Sequence, residues 1–276
     1  MMKRNILYLI LIATILPAIL KGQVASNNTP VVLEKLFGRL MGNNDDTTRL
    51  RINDSIRVII DSYVRSDSIF NHRFTNLKYL GQITSPDSLL KIVTWNLVLK
   101  SSPGSYFSFF IKKGDPEKGN RIYSLTTDYR EEQISTDTTY TEAGWYGALY
   151  YDLKPYVIND TRCWVLLGID YGDPLVSRKI IEVLSFTSDD SILFGRKWFE
   201  SGDRFRYRQV FEYSSNGMMT LRFASDRSVV FDHLVPIYTS QNAGRQSYGS
   251  DYSYDAYNFE NGIWRLSINV DARNKE

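Results

Sequence analysis

Phe205-Arg-Tyr-Arg-Gln-Val-Phe-Glu-Tyr213, then Ser214-Ser-Asn-Gly217, then Met218-Met-Thr-Leu-Arg-Phe-Ala224 is the stretch that decides the fold class. A short turn leads on to Val229-Val-Phe-Asp-His-Leu-Val-Pro236. Phe205, Tyr207, Phe211 and Tyr213 recur at period two with Arg206, Arg208 and Glu212 between them, the alternation of a strand with one dry and one wet face. Asn216-Gly217 is the dipeptide that takes positive φ twice and closes a type I′ hairpin. The spacing therefore predicts a three-strand meander over 205–236.

The same grammar extends outward. Trp145 to Tyr151, Cys163 to Ile169, Lys179 to Phe186, Arg196 to Phe199 and the run 258–270 around Asn261-Gly262 all read as strands. Upstream, strands are expected at 77–81, 90–99, 106–111 and 121–126. Strands recur without helices between them, which argues against βαβ units and for antiparallel sheets in a sandwich, barrel or propeller-like arrangement. Residues 128–143 are polar and acidic and read as the longest loop or linker of this region. Only two helices are expected. Leu33, Leu36, Phe37 and Leu40 form one helical stripe, and Ile52, Ile56, Ile59, Ile60 and Tyr63 another, with Asp45 or Asp46 as its cap. The organisation expected is a signal peptide over 1–22, a helical segment over 23–69 and a β-rich domain over 70–276. The last is divisible into sub-blocks 70–127 and 145–276.

Met1-Met-Lys-Arg4 followed by the apolar run Ile6–Leu20 is the pattern of a secretory signal, with cleavage expected after Gly22 or Ala25. No cysteine lies near that junction, so no lipid anchor is expected there. The formal charge of +2 belongs to this leader: taking away Lys3, Arg4 and Lys21 and no acid turns it to −1. No basic footprint is left for nucleic acid, and no membrane span is expected after cleavage. Cys163 is the single cysteine, which excludes an intramolecular disulfide and marks a buried, inert thiol. The reading places the chain in the periplasm or outside the cell.

Few residues carry chemistry. With two histidines and one cysteine, no structural zinc centre can be assembled, and neither a metal nor a cofactor is expected. Ser88-Leu-Leu-Lys91 has Ser-x-x-Lys spacing but falls on a strand. His233 beside Asp232 is the most suggestive polar pair, a general base if it lies at a sheet rim, although neighbours on a strand face opposite ways. Asp170, Asp173, Glu182, Asp251 and Asp255 are the acids from which a hydrolase would draw two facing carboxylates, with Asp170, Glu182 and Asp251 foremost. Tyr248, Tyr252, Tyr254, Tyr257 and Phe259 crowd a stretch read as a loop over 244–259, where exposed rings would stack on sugar or grip a peptide.

Several phrases occur together: Ser85-Pro-Asp87, Leu90-Lys-Ile-Val-Thr-Trp-Asn96, Leu166-Leu-Gly-Ile-Asp170, Lys179-Ile-Ile-Glu-Val-Leu184, Phe231-Asp-His-Leu-Val-Pro236 and Asn269-Val-Asp-Ala-Arg-Asn274. Over residues 70–274 they resemble a family of uncharacterised exported β-rich proteins of Bacteroidetes, to which no activity is attached. The resemblance implies export and a β-rich fold and carries over no site residue. The sequence thus predicts a non-catalytic exported binding module with a glycan or an envelope protein as partner. The rival is a glycan-directed hydrolase using loop carboxylates.

Overall fold

The computed structural model describes residues 28–272, apart from 43, 116, 159 and 239–245. The segment read as a signal peptide lies outside the described residues. Two helices open the described chain, α1 (Thr29–Met41) and α2 (Asp46–Val64). Asp45 caps α2, its carboxylate accepting the Thr48 N–H at 2.9 Å and the Thr48 hydroxyl at 2.7 Å.

The fold is mainly β, built as three open sheets. The first is an up-and-down antiparallel sheet of β1 (Gly81–Thr84), β2 (Leu90–Leu97), β3 (Ser105–Lys112) and β4 (Arg121–Asp128) in that order. The second holds β5 (Tyr140–Thr141), β6 (Leu149–Ile158), β7 (Thr161–Asp170), β8 (Val176–Phe186) and β9 (Ile192–Phe194), ordered β5-β9-β8-β7-β6. The third holds β10 (Phe199–Ser201), β11 (Arg204–Arg206), β13 (Leu221–Ser225), β14 (Ser228–Ile237), β15 (Ser247–Glu260) and β16 (Ile263–Ser267). Its order is β11-β10-β16-β15-β14-β13, and β12 (Gln209–Ser214) joins β8 of the second sheet. All the pairings are antiparallel except β10 with β16.

The sheets stack under the helices. Leu33, Phe37, Leu40, Ile52, Ile56 and Ile60 close over Val93, Trp95, Phe107 and Phe109 of the first sheet. The Trp95 indole also donates to Asn53 Oδ1 of α2 at 2.9 Å. The other face of that sheet, with Ile92, Tyr106 and Phe110, packs on Tyr150, Trp164, Leu166, Ile180 and Leu184 of the second. Val165, Leu167, Ile181 and Val183 point the opposite way, onto Phe199, Val229, Phe231, Tyr257 and Trp264 of the third. Sheets one and two are thus covered on both faces, which is why β2, β7 and β8 read as near-continuous apolar runs. The first sheet is built from β1–β4, and the second takes its edge strand β5 from the stretch 128–143 that the sequence reading left as a loop or linker.

Of the meander expected over 205–236, the second hairpin forms, β13 pairing antiparallel with β14, but the first strand does not join it. The chain bends at Tyr207-Arg208, so β11 lies on the third sheet while β12 pairs with β8 of the second, Phe211 opposite Lys179. The cause is Arg208, whose guanidinium is drawn to the buried Glu182 carboxylate at 2.7 Å. Asn216-Gly217 then lies in a crossover between sheets, and neither residue has positive φ. Asn261-Gly262 does make the expected turn, with φ of 50° and 83°, joining β15 to β16. The stretch read as a Tyr-rich loop is instead most of β15, because Tyr248 and Tyr254 sit in a ladder opposite Pro236 and Asp232.

Candidate functional site

Two polar centres lie inside the stack, and both are tied off. In the first, Asp170 and Arg178 are direct cross-strand partners. Arg178 Nη1 donates to Asp170 Oδ2 at 3.0 Å and Nε to Glu212 at 2.8 Å, with Asp173 at 3.7 Å. The second Asp170 oxygen accepts the Tyr106 hydroxyl at 2.8 Å and the Gly172 N–H at 2.7 Å. In the second centre, Glu182 is fully buried and accepts from Arg208 Nε, from the Tyr146 hydroxyl at 2.7 Å and from the Val183 N–H at 2.8 Å. Burial pushes the Glu182 carboxyl above its ordinary value, and the Arg208 guanidinium pulls the other way.

Both arginines also reach the polar stretch read as a linker. Arg178 donates to Glu131 O at 2.9 Å, and Arg208 to Thr138 O at 2.8 Å and to Ser135 O. That stretch is pinned to the second sheet. Asp170, Asp173 and Glu182 therefore serve packing, since every carboxylate among them faces a buried arginine. Lys91 of the Ser-x-x-Lys match is buried as well, its ammonium donating to Tyr63 Oη at 3.0 Å, Ile69 O at 2.7 Å and His72 O.

The remaining candidates meet on the β14–β15 ribbon. Its register steps from Asp232 opposite Tyr254 to Leu234 opposite Ser250, so His233 faces three residues, Asp251, Tyr252 and Ser253. This bulge re-aims the strand. Tyr252 sits within it at φ 69° and is 92% exposed. Its N–H donates to Ser250 Oγ at 3.0 Å, and Asp251 Oδ1 accepts both the N–H and the hydroxyl of Ser253, at 2.9 and 2.7 Å. Those bonds hold the Asp251 carboxyl below its usual value.

His233 is oriented by Asp255, not by Asp232. Its Nδ1 lies 2.7 Å from Asp255 Oδ2, and Asp255 Oδ1 accepts the Asn269 N–H at 2.9 Å. A carboxylate only accepts, so Nδ1 carries the hydrogen. The contact raises the imidazole above its ordinary value, the hydrogen bond to Asp255 being the largest cause. Asp232 is spent elsewhere, accepting the Thr220 N–H at 2.9 Å.

The Tyr residues divide. Tyr257 is buried against Phe199 and Phe231 and cannot touch a ligand. Tyr248 and Tyr254 are half-buried, and Tyr252 is open. Sequence reading missed Tyr238, fully exposed just after β14, because no alternation frames it. Among the described residues, no group of three or more His, Cys, Asp and Glu is placed to hold a metal, and no helix is long and apolar enough to cross a membrane. Cys163 is buried and its thiol pushed up to about 12 by desolvation. No family model, characterised protein or solved structure matches this chain.

Proposed function

We propose that the protein is an exported, non-catalytic binding module that holds a glycan, or a segment of another envelope protein, against the exposed tyrosines of the β14–β15 ribbon. One observation carries the reading. A bulky residue, Tyr252, is held at positive φ with its ring in solvent, inside a bulge that points it away from the fold. Such a backbone costs free energy, and strain of this kind gathers at sites that grip ligands. An exposed tyrosine offers a flat apolar face with a polar tip, suited to stacking on a pyranose ring. Asp251 and the His233–Asp255 pair stand beside it as hydrogen-bonding groups.

The hydrolase alternative draws less support. It needs two carboxylates across a cleft, and Asp170 and Glu182 each answer a buried arginine instead. A glycan array probed with the wild-type protein and with Tyr252→Ala tests the proposal. A bound glycan should lose roughly tenfold in affinity on truncation of such an anchor, with the melting temperature unchanged. An array without hits, together with unaltered capture of envelope proteins by Tyr252→Ala, would remove the ribbon from consideration.

A further inference from the structure

We infer a second binding site, for a small organic oxyanion, in the cleft where the ends of the first and second sheets meet. The cleft encloses about 370 Å³, lined among others by Leu89, Lys112, Lys113, Arg162, Trp164 and Phe186. That volume lies within the range of small-ligand sites. A neighbouring hollow of about 500 Å³ shares Lys112 and Lys113 and adds Lys118 and Arg121. The cleft opens where β3 ends, β7 begins and β8 ends, and the neighbouring hollow lies at the β3–β4 turn.

The chemistry of the lining selects an anion. Trp164 is 2% exposed, and its indole N–H is buried with no hydrogen-bond partner. The other lining cations and this indole can only donate, so the missing partner is an acceptor. Burying a donor unpaired is costly, and a ligand oxygen would lift that cost. Of the other indoles, Trp95 is satisfied by Asn53 Oδ1 and Trp145 by the Tyr150 hydroxyl, whereas Trp264, sealed in the apolar core, is unpaired like Trp164 but lines neither hollow.

The cations are held in place at the rim. Arg162 is braced by Asp87 at 2.6 Å, and Lys112 by Asp190 and the Phe186 ring. Lys113 has its ammonium 5.8 Å from the centre of the Phe70 ring and, among the described residues, no carboxylate partner. Asp160 also lines the cleft and opposes an anion; with Arg162 and Lys112 already engaged by Asp87 and Asp190, Lys113 is the lining cation that would meet the ligand's charge. Leu89 and Phe186 supply an apolar wall, which suits an organic body carrying the charge rather than a bare ion. This site does not depend on the tyrosine ribbon.

The test reads the Trp164 indole proton directly in nitrogen-15 NMR spectra. Its peak is assigned as the one lost in Trp164→Phe, or by triple-resonance methods if that variant does not fold. Glucuronate and glucose 6-phosphate are titrated at matched ionic strength, with glucose as the neutral body. At least one anion should move the peak in a saturable way, and glucose should not. The anion that moves it at lower concentration identifies the oxyanion as carboxylate or phosphate. Lys113→Gln should weaken that binding roughly tenfold, the worth of one charge-assisted contact, at an unchanged melting temperature. A peak unmoved by both anions, an equal response to glucose, or Lys113→Gln binding as wild type would overturn the inference.

Discussion

Arg208→Met should cost stability in a way that shrinks as the solution is made acidic. Glu182, fully buried, then keeps only the Tyr146 hydroxyl at 2.7 Å and the Val183 N–H at 2.8 Å. An unpaired buried carboxylate is expensive enough that the folded variant should take up a proton instead. In the unfolded chain the same carboxyl titrates near its ordinary value of about 4.3, and each pH unit above that costs about 1.36 kcal/mol. The deficit from this source is about 3.7 kcal/mol at pH 7 and about 1.1 kcal/mol at pH 5, a difference of about 2.6 kcal/mol. The sign follows from a folded value raised above the unfolded one: stability is fully present below the unfolded value and is lost as pH rises. The Ser135 and Thr138 carbonyls also lose their donor, a part that does not vary with pH. Glu182→Gln is the control. It strands the guanidinium, costs about 3 kcal/mol and carries no titrating group at this position, so position 182 should add no pH dependence to the variant's own stability between pH 5 and pH 7. Urea melts of wild type and both variants at the two pH values give the numbers. If Arg208→Met lost the same amount at both, water would be reaching Glu182, and the sealed ion pair would be wrong.

Three further outcomes follow from single side chains. NMR titration should place His233 above the usual histidine value of about 6.5, and Asp255→Asn should bring it down. The stability it contributes is present below the unfolded value and lost as pH rises through the folded one; an unmoved midpoint would mean that the Asp255 contact does not form. Burial pushes Lys91 down to about 8. Between pH 8 and pH 10 the unfolded chain holds a proton that the folded one has released, so wild type should gain about 2 kcal/mol over Lys91→Met. Parallel urea curves for the two would sink that reading. Tyr252→Gly should raise stability by up to about 1 kcal/mol, since relief of about 1–2 kcal/mol from the left-handed backbone outweighs glycine's entropy of about 0.5–1 kcal/mol, while ligand binding is lost. A lowered melting temperature would show that the ring packs on the fold.

What the sequence revealed and what it concealed have one physical origin, the stacking of sheets. Local signals were legible: the Leu33–Leu40 and Ile52–Tyr63 stripes became helices, Asp45 became the cap, and Asn261-Gly262 became the tight turn. Each depends on residues within a few positions of one another. The partner of a strand is not a local property, and the stretch 205–213 shows why. Its alternation is a single pattern in sequence, but Arg208 in the middle answers a carboxylate 26 positions away and divides the run between two sheets. The surroundings of the candidate residues were hidden on the same ground. Glu182 and Asp170 looked like free acids because the arginines that neutralise them lie on other strands or turns. His233 stood in the sequence beside Asp232, which a strand sends to the other face, and the ladder brings Asp255 alongside instead. Trp164 carried no signal at all, because an indole lacking an acceptor is visible only when every neighbour is known. In a stack whose inner layers are covered on both faces, buried polar groups are forced to find long-range partners. The Trp164 indole N–H is one of several buried groups left without one; on a residue that lines a cleft, it joins the tyrosine held open on a bulge as a place where ligands have something to add.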